Sequence, residues 1–111
     1  MAETIQETTE NTLLTNRRIP MDFCTESQSY IFACPNCNEF IQVLRSQTAC
    51  CIFRHGIFKH NGEQVPPHSA KELCDSLKET GRIYGCGKPF KIILTTIPEF
   101  PHGYAEMCGY I

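Results

Sequence analysis

The sequence lacks the segments that would carry a protein into or across a membrane. No apolar run reaches the length of about 18 residues at which a membrane-spanning helix becomes the expected structure. The beginning of the sequence, MAETIQETTENTLLTNRRIP, contains no apolar stretch and starts acidic, unlike a secretory signal. We therefore expect an intracellular protein, in the cytoplasm or the nucleus, without membrane association.

Catalytic signatures and internal repeats are missing as well. Neither HExxH nor His-x-Glu occurs, and these motifs mark two large classes of zinc hydrolases. The formal net charge of −2 provides no general attraction to nucleic acid. These absences disfavour a metal-dependent hydrolase, and they disfavour a protein that binds nucleic acid through bulk charge.

Cysteine, by contrast, is abundant. The chain has 111 residues, of which eight are cysteine, and 41% of its residues are hydrophobic. A single domain of this size buries a small core and gains stability from disulfides or from a metal ion. Because thiols stay reduced inside cells, we interpret the clustered cysteines as ligands of Zn²⁺ rather than as disulfide partners.

Two regions of different composition divide the chain. Residues 1–28 are rich in Thr, Glu, Gln and Asn. They predict a disordered polar arm, because too few apolar side chains are available to offset the entropy of ordering. Residues 29–111 are predicted to form the zinc-binding domain. Its expected class is α+β, a small antiparallel, zinc-ribbon-like β-sheet with one short α-helix.

Apolar and β-branched stretches predict the strands of this sheet. YIFAC, which starts at Tyr30, and EFIQVLR, which starts at Glu39, flank a tight turn and should pair antiparallel. CCIFRHGIFKH is a third β-prone stretch, broken at Gly56. A strong strand is predicted from Phe90 to Ile97, and YAEMCGYI indicates a closing strand.

The segment PPHSAKELCDSLKETGRI predicts the helix. Ser69 is expected to be the N-cap, with Glu72 completing a capping box. Leu73 and Leu77 should share the buried face of the helix. Gly81 suits the position after the helix, where a left-handed residue commonly ends it.

The strongest chemical motif is Cys34-x2-Cys37, in FACPNCNEF. Its spacing is that of structural zinc sites, in which a tight turn brings two thiolates to one ion. Pro35 favours such a turn, and Asn38 tolerates the left-handed conformation that often closes it. A redox-active pair would lead directly into a helix. Because the segment that follows is β-prone, we favour the metal site.

The other ligands must come from later in the chain. Cys86 lies between Gly85 and Gly87, which free the backbone to approach an ion. The predicted ligand set is Cys34, Cys37, Cys74 and Cys86. Cys74 is also compatible with a buried thiol of the core, because free cysteine is a small and well-buried side chain. His68, in the turn before the helix, is the alternative fourth ligand.

Several further cysteines and histidines are candidate ligands. This second set comprises His68, His55, Cys50 and Cys108. At most one of the neighbours Cys50 and Cys51 should face a shared ion, since adjacent side chains on a strand point to opposite faces. Cys24 lies in the predicted arm and is expected to be free. We predict one site, although eight cysteines and four histidines would suffice for two ions.

Five motifs within residues 34–111 are shared with a known group of small proteins: CPNC, CIFRHG, PPH followed by ELCDSL, IYGCGKPFKI and CGYI. In these motifs the chain resembles small zinc-ribbon-like proteins of large DNA viruses and environmental sequences. The resemblance implies location in a host cell or a virion, and it brings no established activity. It also implies a shared constellation of Cys34, Cys37, His55, His68, Cys74, Cys86 and Cys108. A common zinc ribbon has two CxxC motifs, whereas this chain has a single one, Cys34-x2-Cys37.

The predicted function is a non-enzymatic zinc-binding module that contacts protein or nucleic acid. For nucleic acid, cations interleave with aromatic side chains on which bases could stack. The cations are Arg45, Arg54, Lys59, Arg82, Lys88 and Lys91, and the aromatic residues are Phe53, Phe58, Tyr84 and Phe90. The alternative is a metal- or thiol-dependent enzyme that uses His55, His68 and Cys74, with Cys74 as nucleophile and His68 as base.

Overall fold

The fold combines three small antiparallel sheets with one short α-helix, as the sequence predicts for its class. The computed structural model describes residues 17–111. The strands are β1 (Ile19–Pro20), β2 (Asp22–Cys24), β3 (Ser29–Ala33), β4 (Phe40–Leu44), β5 (Ile52–Arg54), β6 (Ile57–Phe58), β7 (Ile83–Tyr84), β8 (Pro89–Ile93) and β9 (Tyr104–Met107). The helix α1 spans Lys71–Glu79, and a short 3-10 helix spans Arg45–Gln47.

Some strands pair with their neighbours in the sequence, whereas others pair with distant strands. The first sheet has the order β1-β9-β8-β5, the second β2-β3-β4, and the third pairs β6 with β7. The predicted hairpin is confirmed, since β3 and β4 pair antiparallel with Phe32 opposite Ile41. Among residues 17–111, no helix is long and apolar enough to cross a membrane.

The main core lies between the first two sheets. Phe90 of β8 is at its centre, with its ring centroid 5.7 Å from that of Phe32 and 5.4 Å from that of Phe53. Phe32 belongs to the second sheet, whereas Phe53 and Phe90 belong to the first. Burying each such side chain contributes about 1.5–3 kcal/mol. The aromatic contacts therefore contribute to holding the two sheets together.

A second, smaller core lies under the helix. It is formed by Val65, Cys74, Leu77 and Ile83. The predicted helix face is corrected here, because Cys74 and Leu77 are buried whereas Leu73 is 49% exposed. Cys74 and Leu77, three residues apart, face the small core, and Leu73 lies at the margin of this contact.

The two helix ends behave differently from each other. The predicted N-cap is wrong, since Ala70 occupies that position and Ser69 Oγ donates to the carbonyl of Pro66 instead. The predicted C-terminus is confirmed. Gly81 has a φ of +67°, its N–H donates to Lys78 O, and the following N–H donates to Leu77 O. This pair of bonds satisfies carbonyls that a helix end otherwise leaves free.

The folded part of the chain begins earlier than predicted. β1 and β2 fall within the region assigned to the arm, and they pair with β9 and β3. Met21, between them, is 2% exposed and belongs to the main core. Ile19, Met21 and Phe23 alternate with polar or small positions, which is the period of a strand. The prediction for residues 1–16 lies outside the described residues.

The last two strands are shorter than their sequence patterns suggest. β8 ends at Ile93 rather than at Ile97, which instead forms an isolated bridge with Phe100. β9 ends at Met107, before Cys108. The residues from Cys108 to Ile111 then run past the start of the helix, where the Tyr110 ring and the Ile111 carbonyl both contact Arg54.

Candidate metal centre

The turn between β3 and β4 folds back as a cysteine knuckle. Cys34 donates its N–H to Glu39 O at 2.7 Å and accepts the N–H of Asn38 at 2.8 Å. Asn38 has a φ of +71°, which confirms the predicted left-handed position. The N–H of Asn36 points at Cys34 Sγ, 3.3 Å away. An amide aimed at sulfur stabilises the thiolate form, which is the form that binds metal.

His55 and Cys86 reach the same place through the pairing of β5 with β8. His55 follows directly on β5, donates its N–H to Lys88 O at 3.0 Å, and accepts the N–H of Gly87 at 2.7 Å. These two bonds continue the strand pairing past its formal end and hold His55 beside the loop that carries Cys86. Gly85 and Gly87 have φ values of +103° and +76°, so the predicted backbone freedom is used at both positions.

Four ligand atoms converge at this point. The side chains of Cys34, Cys37, His55 and Cys86 place one ligand atom each within 4.8 Å of all the others. The Sγ atoms of Cys34 and Cys86 are 3.9 Å apart, and His55 Nδ1 is 3.4 Å from both Cys37 Sγ and Cys86 Sγ. This group could hold a metal ion.

Three separations within the cluster match those around a tetrahedral zinc ion. Bond lengths of about 2.3 Å to sulfur and 2.0–2.1 Å to nitrogen put neighbouring sulfurs about 3.8 Å apart and sulfur and nitrogen about 3.5 Å apart. The 3.9 Å and 3.4 Å contacts of the cluster agree with both values. They are far too long for a disulfide, whose sulfurs are about 2.0 Å apart.

The cluster already favours an ionised thiol. The hydrogen bond from Cys86 lowers the pKa of Cys34, and the same contact raises the pKa of Cys86. A proton held between the two sulfurs therefore favours the ionised form of Cys34. A cation placed among the four ligand atoms would take over the role of that proton and stabilise all three thiolates.

The structure brings together three of the four predicted ligands. Cys34, Cys37 and Cys86 belong to the cluster, and His55, from the second set of candidates, takes the fourth place. Cys74 lies elsewhere. It is 1% exposed in the small core under the helix, and its Sγ is directed towards Ser69 O at 4.0 Å. Burial also raises the pKa of Cys74, as expected for a thiol of the core.

The signal for His55 is present in the sequence, but it depends on long-range pairing. His55 and Cys86 become neighbours because the strand before one pairs with the strand after the other. The motif CIFRHG places a histidine at the end of a short β stretch, whereas the partner strand is far away in the sequence. Cys74, nearer to Cys86 along the chain, is separated from the cluster because its helix faces a different core.

The remaining candidates occupy other environments. His68 Nε2 lies 3.4 Å from Cys50 Sγ, so these two candidates pair with each other outside the cluster. Cys108 is half-buried, and burial raises its pKa. Cys51 has a φ of +61° and contacts Thr48 O through Sγ at 3.1 Å, whereas its neighbour Cys50 is exposed. Neither Cys50 nor Cys51 belongs to the cluster, and both precede β5, so the strand alternation expected of the pair does not apply to them.

No family model, curated protein or solved structure matches the chain. The resemblance to zinc-ribbon-like proteins, with the viral or virion location that it implies, therefore stays a prediction. The candidate centre rests on the geometry of its four side chains.

Proposed function

We propose that the chain is a non-enzymatic zinc-binding module in which one structural Zn²⁺ is held by Cys34, Cys37, His55 and Cys86. The observation that carries the proposal is the convergence of four ligand atoms from three separate segments, at separations that suit tetrahedral zinc. Cys3His is an established ligand set of structural zinc sites.

Four protein ligands favour a structural role over a catalytic one. A catalytic zinc ion keeps one coordination position for water or substrate, whereas a structural ion has all four filled by the protein. Here the knuckle belongs to the second sheet, while His55 and Cys86 flank β5 and β8 of the first. The ion would therefore tie the two sheets together at one end of the aromatic core.

Metal content and ligand count test the zinc proposal. Native mass spectrometry should find one zinc ion per chain, and X-ray absorption should find three sulfur ligands and one nitrogen ligand. Cys37→Ser and His55→Ala should each lose the metal, because serine and alanine bind zinc poorly or not at all. The matched controls are Cys24→Ser and His60→Ala, which change the same residue types outside the cluster and should retain it.

Removing the ion should also unfold part of the β structure, because zinc-binding free energy contributes to folding free energy in small metal domains. Chelation under reducing conditions is followed by circular dichroism and thermal denaturation. If the metal-free chain keeps the same spectrum and the same melting temperature, the ion is not structural.

The second part of the proposal concerns the partner, for which the free edge of β4 is the best surface. Arg45 donates its N–H inward to Gln28 O, whereas Leu44 donates its N–H outward to the Gln47 side chain. The N–H and C=O of one strand residue point to the same side, and sides alternate along the strand. The backbone groups of Phe40 and Gln42 therefore point outward, away from β3.

This edge borders a groove of about 820 Å³. Its lining includes Phe40, which is 82% exposed, and Tyr84, which is 63% exposed. Lys59 and Lys78 line the same groove, and Lys59 Nζ lies 5.1 Å from the centre of the Tyr84 ring. We propose that the occupant is an extended peptide with alternating apolar and acidic side chains, which would pair with β4 and meet the two lysines.

A peptide suits this surface better than nucleic acid does. Phe53, Phe90 and Arg54, three of the residues considered for contact with nucleic acid, are buried. Phe53 and Phe90 belong to the main core, and Arg54 forms internal hydrogen bonds. These three side chains are therefore not at the surface, where a nucleic acid would contact them. An outward-facing row of N–H and C=O groups is complementary to a peptide backbone.

A display library of random extended peptides, applied to the zinc-loaded chain, tests this part. Binding peptides should be acidic and apolar in alternation, and Lys59→Glu should abolish their binding. Gln42→Pro removes one outward N–H and keeps the backbone bonds to β3, since proline is tolerated at a sheet edge. It also removes the hydrogen bond from Gln42 Nε2 to Ser29 Oγ, so Gln42→Ala, which loses only that bond, is its control. Gln42→Pro should weaken binding by about tenfold, whereas Leu94→Ala, outside the groove, should leave binding unchanged.

Binding of nucleic acid in place of peptide would contradict this part of the proposal. If no peptide binds while oligothymidylate does, with an affinity that falls steeply as salt rises, the surface is a nucleic-acid surface and the peptide proposal fails. The zinc proposal is tested separately by metal content, so the two parts can fail independently.

The enzyme that would use His55, His68 and Cys74 finds less support. His55 contacts Cys37 and Cys86, His68 contacts Cys50, and the Cys74 thiol is buried under the helix. Burial raises the pKa of Cys74, which is the opposite of what a nucleophilic thiol needs.

A further inference from the structure

A second cysteine–histidine pair lies outside the candidate metal centre. Cys50 Sγ is 3.4 Å from His68 Nε2, and both residues are exposed. Cys50 lies just before β5, and His68 lies in the turn that leads into the helix. The pair is therefore formed by two separate segments and is open to molecules in solution.

The second ring nitrogen of His68 fixes which atom carries the proton. His68 Nδ1 is 2.7 Å from the backbone oxygen of Ile111. Because this oxygen has no hydrogen to donate, Nδ1 must hold one, and in the neutral ring Nε2 then has a free lone pair. That lone pair faces Cys50 Sγ, so the thiol is the donor and the imidazole is the acceptor.

A buried arginine holds this arrangement in place. Arg54 is 4% exposed, its Nη2 donates to Ile111 O at 3.0 Å, and its Nε donates to Ser69 O at 3.0 Å. The guanidinium also lies 4.9 Å from the centre of the Tyr110 ring. One group thus anchors both the acceptor for His68 and the residue that follows His68 in the chain.

We propose that Cys50 and His68 form a thiol-exchange site that reacts with low-molecular-weight disulfides. A nucleophile, a base within hydrogen-bond reach and a third group that orients the base are the arrangement of an activated thiol. The described residues provide all three, as Cys50, His68 and the backbone oxygen of Ile111.

The exchange is balanced in atoms and electrons. His68 Nε2 takes the proton of Cys50, and the resulting thiolate attacks one sulfur of the disulfide RS–SR. A bond forms between Cys50 Sγ and that sulfur, while the S–S bond of the reagent breaks. The other half leaves as RS⁻ and receives the proton from His68. Cys50 is oxidised to a mixed disulfide, and one thiol RSH is released.

A metal site is a poorer interpretation of this pair. Among residues 17–111, the cluster of Cys34, Cys37, His55 and Cys86 is the group in which three or more ligand atoms converge. Cys50 and His68 supply two ligands, which is half of a tetrahedral shell.

The test uses the zinc-loaded full-length chain and oxidised glutathione as the disulfide, under anaerobic conditions. Intact-mass spectrometry with peptide mapping should place the fastest addition on Cys50, and Cys50→Ser should remove that fast phase. Cys24→Ser is the matched control, because Cys24 is a half-buried thiol outside both clusters, and a hydrogen bond with the Ser27 side chain lowers its pKa. If the fast phase maps to Cys24 instead, the proposal is wrong.

His68→Asn distinguishes the role of His68 as a base from its role in the structure. The asparagine amide can still donate to Ile111 O, but it offers no basic nitrogen to Cys50. An unassisted thiol is only a few per cent ionised at pH 7, so addition to Cys50 should slow by about tenfold or more. Added imidazole should restore part of the rate. An unchanged rate in His68→Asn would overturn the role of His68, and so would a slowed rate that imidazole does not restore while circular dichroism stays native.

The metal interpretation is excluded or established by the same variants. Zinc content should be the same in the wild-type chain and in Cys50→Ser. A second zinc ion that disappears in Cys50→Ser would identify the pair as metal ligands and contradict the proposal.

Discussion

Gly85→Ala should weaken metal binding although glycine contributes no ligand atom. Gly85 has a φ of +103°, and a Cβ built there would lie 2.5 Å from the carbonyl oxygen of His55 and 2.9 Å from its ring carbon Cδ2. Real Cβ atoms do not approach other atoms so closely, so His55 or the loop must move. The substitution would act on the proposed ion through the position of His55.

Two costs add up in this variant. A left-handed backbone costs a residue with a side chain about 1–2 kcal/mol, and overpacking costs about 1–3 kcal/mol. Together they predict a loss of about 2–5 kcal/mol in the free energy of unfolding of the zinc-loaded chain. Zinc affinity should fall by about 10- to 100-fold, as for other groups that orient a metal ligand.

Gly62→Ala is the matched control. Gly62 has a φ of +75°, and a Cβ there would meet no atom within 4 Å. It carries the backbone cost of about 1–2 kcal/mol without the collision, so its zinc affinity should equal that of the wild-type chain. Affinity is measured by competition with a chelating dye, and stability by thermal denaturation. Equal zinc affinities for Gly85→Ala and Gly62→Ala would refute the assignment of His55 as a ligand held by this contact.

Three further predictions follow from the same packing. Cys74→Ser should retain the full zinc content and lose about 1–3 kcal/mol of stability by burying a hydroxyl group, as measured by metal analysis and urea denaturation; loss of zinc would return Cys74 to the ligand set. Met21→Ala should cost about 2–5 kcal/mol, because it empties part of the main core, and a change below about 0.5 kcal/mol in urea denaturation would place Met21 outside that core. Acid should release the proposed ion, because protons compete with it for the ligand thiolates, so the stabilisation that it supplies is lost as the pH falls; a chelating dye reports the release, and zinc retained in strong acid would argue against thiolate ligands.

Features that depend on a few neighbouring residues were predictable from the sequence. The Cys34-x2-Cys37 spacing, the left-handed Asn38 and the helix end at Gly81 each depend on a few consecutive residues. The β3–β4 hairpin belongs to the same class, since one tight turn joins two strands of clear pattern.

Features that depend on distant pairing were not predictable in the same way. His55 reaches Cys86 only because β5 pairs with β8, and no local pattern specifies which strands pair. Which face of the helix is buried also depends on distant residues, since Cys74 packs in one core with Val65 and Ile83, which come from separate segments. The strands on either side of Met21 are two and three residues long. They follow a polar segment whose composition predicts disorder, so the short alternation of Ile19, Met21 and Phe23 does not distinguish them from the arm.

The separation of the candidate ligands along the chain has a consequence for biosynthesis. Cys34 and Cys86 are 52 residues apart, and ribosomes add about 5–20 residues per second. Cys34 is therefore synthesised roughly 3–10 s before Cys86, which would complete the proposed shell. During that interval Cys34 and Cys37 are an uncapped dithiol on a nascent chain. Oxidants encountered then would compete with zinc for the two thiols, so the outcome of synthesis would depend on the redox state of the compartment at that moment.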